Sequence, residues 1–229
     1  MAHASAASAL VAGNLRVVDR RGGLVPRIYE NLQGVGRVGR VGYVAEGVVG
    51  SPQTLSEADR RLVAAWAADC AERVLPLFEA EAPDDDRPRT LIARARAFAW
   101  GELSTAEEIR RRFSGGVGAG EFKTPAGAAA ARAAGQAVAV CHMGAHALGT
   151  AAYAVRAAGL ADPDRPEAIA DEIRWQLDHM SAEVRAALRT LPPVGENSSG
   201  PLGPGLLASG QLRTIIRDLQ ADLARTDED

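Results

Sequence analysis

From residue 54 onward, apolar and polar residues recur along the chain with the period of an α-helix. The first predicted helix extends to about residue 80 and begins at a cap formed by Ser56 and Asp59. Pro88, which follows three aspartates, starts a second helix. The apolar positions that form the buried faces of these helices are Leu62, Val63, Trp66, Cys70, Val74 and Leu77 in the first, and Leu91, Ile92, Ala95, Phe98 and Ala99 in the second.

The middle of the chain predicts a short helix followed by a long, buried one. Ser104 and Glu107 form a capping box for the short third helix, which ends in a glycine-rich stretch. Thr124 is the predicted N-cap of a central helix that continues without a break from Pro125 to Gly159. Because its side chains are apolar nearly all round, we expect this helix to lie in the core.

The C-terminal third of the chain predicts two further helices. A fifth helix covers about residues 166–191, and Ser181 marks a position where it can break. The last helix, residues 209–226, carries a narrow apolar seam: Leu212, Ile215, Ile216, Leu219 and Leu223. Such a seam must be covered, either by the bundle or by a second copy of the chain, and we expect a homodimer.

These patterns predict an all-α protein: a single helical bundle of about five main helices plus a C-terminal helix. Residues 1–53 are rich in glycine, valine and arginine, and form a predicted irregular N-terminal appendage. Residues 54–191 are the helical domain, residues 192–208 a linker by composition, and residues 209–226 the C-terminal amphipathic helix. Residues 34–39 match a dinucleotide-binding fingerprint in letters, but further glycines follow where that motif requires a helix.

Composition and charge exclude several classes of function. The 229-residue chain has a formal net charge of −3, so nothing favours nucleic acid as a partner. No apolar stretch is long enough to predict a membrane helix. Cys70 and Cys141 lie within helical patterns and lack metal-type spacing, which predicts reduced thiols in a cytoplasmic protein.

The only lysine of the chain, Lys123, follows a run of glycines and precedes Thr124. A phosphate-binding P-loop needs glycine before the lysine and a strand before the loop, and this sequence has Phe122 and a helix there. Two interpretations remain. Lys123 and Thr124 bind an anion at the start of the central helix, or the segment is a mobile connection that Thr124 caps.

His142 and His146 lie four residues apart, so both imidazoles share a face of the central helix with Tyr153. On one hypothesis this face lines a cleft in which the three side chains act by acid–base chemistry, with Asp69 or Glu72 as carboxylate partner. On the other, the histidines are a structural pair that bonds neighbouring groups. Two histidines are too few to hold zinc, so we predict no metal and no other cofactor.

Two more side chains are candidates for ligand binding. Arg73 follows Asp69 by four residues, which predicts an ion pair at the rim of the first helix. Trp175 points away from the apolar stripe of the fifth helix and therefore needs a neighbour from another element. Arg73 and Trp175 join Lys123 and Thr124 in the set of predicted ligand-binding residues.

Several segments resemble an actinobacterial, all-helical "putative immunity protein" family. They are TLSEADRRLVAAWAADCAERVLPLFE, ARAFAWGE, AAGQAVAVCHMGAHALGTAAYAVRAAG and EIRWQLDHMSAEVRAAL, and the resemblance covers about residues 54–190. It implies a helical fold and a protein that neutralises a toxin by binding it. The residues leave a second hypothesis open, a small-molecule enzyme of a bacterial natural-product pathway that uses the histidine cleft.

Overall fold

A computed structural model describes residues 51–111 and 122–225 of the chain. These residues contain eight helices and no strand, which confirms the all-α class. The helices are α1 (Glu57–Glu79), α2 (Arg87–Ala99), α3 (Thr105–Arg111), α4 (Pro125–Ala139), α5 (His146–Ala161), α6 (Ala168–Asp178), α7 (Ala182–Arg189) and α8 (Gly210–Ala224). The expectations for the N-terminal appendage up to residue 50 and for the glycine run at 114–121 lie outside the described residues.

Capping hydrogen bonds confirm four positions at which the sequence predicts a helix start or break. The hydroxyl of Thr124 accepts from the backbone N–H of Gly127 at 2.9 Å, and α4 begins at the next residue, Pro125. Ser181 caps α7 in the same way through the N–H of Val184, so the predicted fifth helix divides there into α6 and α7. The other two predicted caps, Ser56 with Asp59 and Ser104 with Glu107, also form.

The prediction of one continuous helix from Pro125 to Gly159 is wrong. α4 ends at Ala139 and α5 begins at His146, with turns between them. In this interval the N–H groups of Gly144 and Ala145 donate to the carbonyl oxygens of residues 54 and 53, each at 3.0 Å. The backbone donors that a helix would use internally are therefore taken by a segment that precedes α1. The apolar pattern alone does not reveal this contact.

The centre of the bundle is formed by α1, α4 and α5, which pack against one another. α2 covers α1 and α4, α6 and α8 pack on α5, and α7 contacts α1 and α8. The inner faces of α4 and α5 consist largely of alanine, and small side chains allow helices to approach closely. None of the helices in the described part of the chain is long and apolar enough to cross a membrane.

The apolar seam of α8 is covered by the chain itself. Its five large side chains are at most 3% exposed: Leu212, Ile215, Ile216, Leu219 and Leu223. α8 lies against α5 and α7, so the exposed strip from which a homodimer was expected does not exist in the folded chain. Burial within the chain explains why this face of α8 carries apolar side chains.

Residues 192–208, which composition predicts to be a linker, are held against the bundle at specific positions. Leu202 is fully buried and Leu207 is 5% exposed. The buried side-chain amide of Gln53 donates to the carbonyl oxygen of Ser199 at 2.6 Å and accepts from the N–H of Leu202 at 2.9 Å. This amide joins the segment before α1 to the segment before α8.

Candidate functional site

The two histidines lie close together even though the helix between them is broken. His142 is in the turn before α5 and His146 is the first residue of α5, and their ring centroids are 5.3 Å apart in an edge-to-face arrangement. Nδ1 of His146 lies 2.8 Å from Oε1 of Gln136 on α4. A Cβ at Gly149 would lie 2.4 Å from that amide oxygen and 2.8 Å from Cδ1 of Leu207. The histidine region is therefore packed by α4, α5 and the segment before α8.

The pKa of His146 falls from its ordinary value of 6.5 to about 3. Burial of the imidazole is the main cause, and the nearby His142 adds to it. His146 is therefore neutral at physiological pH. A general acid or base works best with a pKa near the operating pH, which this group does not have. The geometry and the charge state both agree with a histidine that serves packing and hydrogen bonding.

The other residues that were proposed to act in catalysis lie in different parts of the structure. Tyr153 is 5% exposed and belongs to the core, two turns after His146 on α5. Arg60 is the residue of α1 that lies beside the turn before α5, because its Nε donates to the carbonyl oxygen of Cys141 at 2.9 Å. Asp69 is nine residues further along α1, which is about 13 Å along the axis. The carboxylates on this part of α1 thus belong to another surface.

Asp69 and Arg73 do not form the ion pair that their spacing predicts. Nη2 of Arg96 on α2 donates to Asp69 at 2.7 Å and also to Glu72. Nε of Arg73 donates instead to Oε2 of Glu172 on α6 at 2.7 Å. Glu172 is only 4% exposed, and a buried carboxylate requires a positive partner, so this long-range pair replaces the local one.

The start of α4 already holds a carboxylate of the chain itself. The Glu81 side chain fills the space above Gly127, where a Cβ would lie 2.0 Å from its Oε1. Within the described residues, neither buried carboxylate oxygen of Glu81 has a hydrogen-bond partner, and Lys123 donates to the Glu81 backbone carbonyl. The Glu81 side chain therefore packs against the first turn of α4, and Lys123 is bonded to the same residue.

A second surface brings together four of the predicted site residues. It is the exposed stripe of α1 with the sides of α2 and α6 that flank it, and we call it the α1–α2–α6 face. Its members are Leu62, Asp69, Glu72 and Arg73 on α1, Arg96 and Trp100 on α2, and Trp175 and His179 on α6.

On the α6 side of this face, three side chains form a stack. The guanidinium of Arg73 lies 4.4 Å from the centroid of the Trp175 ring. The other neighbour of Trp175 is His179, with the rings stacked at a centroid distance of 4.0 Å. The predicted ligand-binding residues Arg73 and Trp175 are thus in direct contact, and the neighbour that Trp175 requires is an arginine from α1.

On the α2 side, the face ends in an exposed tryptophan that the sequence reasoning missed. Trp100 is 69% exposed. Leu62 on the adjacent helix is 41% exposed, so the prediction that it belongs to the buried face of α1 is wrong. Their helices run antiparallel, because Arg61 donates to the Phe98 carbonyl at one end and Arg89 pairs with Glu79 at the other. A signal was present in the sequence, since Phe98 completes the buried stripe of α2 and Trp100 falls outside it.

The described residues contain no group of three or more His, Cys, Asp or Glu side chains arranged to hold a metal ion. The two cysteines are buried and unpaired. Burial raises the pKa of Cys141 to about 12, with the Glu108 carboxylate adding to the effect, so this thiol is a poor nucleophile.

Comparisons with known proteins identify a family for this chain. Residues 53–183 match the family model described as Imm-5 like putative immunity protein, which is more than half of the chain. The matched region begins at Gln53 and ends within α7, so it contains the whole α1–α2–α6 face. Comparisons with curated proteins and with solved structures gave no match.

Proposed function

The chain belongs to the Imm-5 like putative immunity protein family, and we propose from this premise that it neutralises a toxin by binding it in a protein–protein complex. Stoichiometric binding needs no catalytic residue. It needs a rigid scaffold with an exposed surface that a partner can cover.

The α1–α2–α6 face is the observation that carries this proposal. Tryptophan and arginine are enriched among the residues that dominate the energy of protein–protein interfaces. Here two tryptophans and two arginines flank one stripe of α1 that extends from Leu62 to Arg73, about 16 Å along the helix axis. This length fits the central part of an interface of standard size.

The geometry of the histidine region favours binding over the hypothesis of a small-molecule enzyme. Catalysis would require an open cleft with converging polar groups. Gln136 instead bonds to His146 and, with Leu207, fills the space beside Gly149. The carboxylates proposed as catalytic partners bond to Arg96. We further propose a cytoplasmic location, which the two unpaired cysteines support.

We expect a toxin gene next to the gene of this chain, and co-expression of the two products tests the proposal. We expect the chain to restore growth and to form a complex of fixed stoichiometry, measured by size-exclusion chromatography with light scattering. Titration of the toxin activity with the purified chain distinguishes binding from catalysis. An end point at an equimolar ratio supports binding, whereas full neutralisation by a small fraction of one equivalent, or a covalent change in the toxin seen by mass spectrometry, contradicts it.

A further inference from the structure

Trp100 is presented on a rigid part of the fold. Its backbone N–H donates to the carbonyl oxygen of Arg96 at 2.9 Å, and Gly101, with a positive φ of 83°, follows the end of α2. Arg61 lies over the ring of Phe98 and also donates to its carbonyl oxygen, which fixes this end of α2 against α1. The indole is nevertheless 69% exposed. The backbone that carries the indole is thus fixed, and a tryptophan side chain has only two rotatable bonds to order when a partner covers it.

The carboxylates beside Trp100 are only partly neutralised. The side chains of Asp69 and Glu72 are 53% and 51% exposed, and both accept from one nitrogen, Nη2 of Arg96. Across the stripe, Arg73 is paired with Glu172. The cluster of Asp69, Glu72 and Arg96 therefore keeps one negative charge, and the Arg73–Glu172 pair adds none. Desolvation is the main cause that raises the pKa of Asp69; Arg96 and His179 oppose it, and the Glu72 carboxylate adds to it.

Trp100 and this negative charge lie next to each other on the α1–α2–α6 face. Trp100 follows Arg96 by four residues, so it extends from the same side of α2 one turn further on. A partner that covers the indole therefore also approaches Asp69 and Glu72.

We propose that Trp100 is the anchor of the toxin complex, and that the toxin offers an apolar pocket for the indole whose rim carries an arginine or lysine that pairs with Asp69 and Glu72. This inference rests on the proposed function and adds the position of the contact and the chemistry of the partner. Electrostatic complementarity of this kind raises the association rate and makes it sensitive to salt.

The charge preference is tested without the toxin by NMR of the ¹⁵N-labelled full chain. The probes are two peptides, Ac-Arg-Leu-Arg-amide and Ac-Glu-Leu-Glu-amide, at low ionic strength. We expect only the arginine peptide to shift the indole N–H of Trp100 and the amides around Asp69 and Glu72. The shifts should disappear in the double variant Asp69→Asn/Glu72→Gln. Equal shifts with both peptides, or none at these residues, would overturn the inference.

The anchor is tested in the toxin complex. Because its side chain is exposed, Trp100→Ala should fold normally, which circular dichroism verifies. We expect it to weaken toxin binding by roughly 30-fold or more. Asp69→Asn/Glu72→Gln should lower the association rate and reduce its salt dependence. Leu206→Ala, which shortens another exposed apolar side chain, is the matched control and should bind like the parent.

The outcomes separate this inference from the proposed function. If the toxin binds the Trp100→Ala variant as tightly as the parent, the proposed function stands and the inference is wrong. If the parent itself does not bind the toxin, the proposed function and the anchor both fail. Self-association of the parent that Trp100→Ala abolishes would show that a second copy covers the face, and it would also overturn the inference.

Discussion

Replacing His146 with glutamine should remove much of the dependence of stability on mild acidification. Glutamine can still bond to Gln136 but does not titrate. The prediction follows from the environment of the imidazole, which lies beside His142 and Gln136 and whose pKa falls from 6.5 to about 3 mainly through burial. The unfolded chain has no such environment, so its histidine titrates near the ordinary value.

The sign and size of the effect follow from proton linkage. Below about pH 6.5 the unfolded state takes up a proton at this histidine, whereas the folded state stays neutral until about pH 3. The contribution to stability is therefore complete above pH 6.5 and declines as the pH falls, by up to about 1.4 kcal/mol per pH unit. Between pH 7 and pH 5 this amounts to about 2 kcal/mol. Because His146 keeps some exposed surface, we expect a measured difference of about 1 to 2 kcal/mol.

Urea unfolding, followed by circular dichroism at several pH values between 7 and 5, measures this quantity directly. The parent should lose more free energy of unfolding over this range than His146→Gln does, by the amount given above. His179→Gln is a suitable control because His179 is exposed. If the parent and His146→Gln lose stability in parallel, the imidazole is not shielded from solvent and the reasoning is wrong.

Three further predictions concern the attachment of the C-terminal segments. Gln53→Ala should lower the free energy of unfolding by roughly 1 to 3 kcal/mol, because the buried N–H of Leu202 loses its acceptor. An unchanged urea midpoint would contradict this. Gln211→Ala, at an exposed position, is the control. Leu219→Ala should cost about 2 to 5 kcal/mol through the cavity it leaves on the buried face of α8. Light scattering should find a monomer in the parent, since the seam is already covered, whereas a dimer that dissociates on removal of residues 206–229 would show that the seam joins two chains.

The sequence by itself determined the helical class and most helix starts. A cap such as Thr124 with Gly127 joins residues three apart, so the hydrogen bond forms wherever the helix lies in the fold. Most of the apolar stripes of α1, α2 and α8 could also be predicted from the sequence. Helical periodicity places these side chains on one face of each helix, whichever element covers that face.

Only the tertiary structure decided which groups meet across the chain. The break after Ala139 depends on donors of Gly144 and Ala145 that bond to residues before α1. Similarly, Arg73 pairs with Glu172 on α6, although Asp69 is nearer in sequence. The candidate site depends on such contacts, since the α1–α2–α6 face exists only when side chains of α2 and α6 meet those of α1. The spacing of residues along one helix shows which side chains of that helix can pair. Elements distant in sequence decide whether a carboxylate is buried and which carbonyl groups accept from the backbone N–H groups.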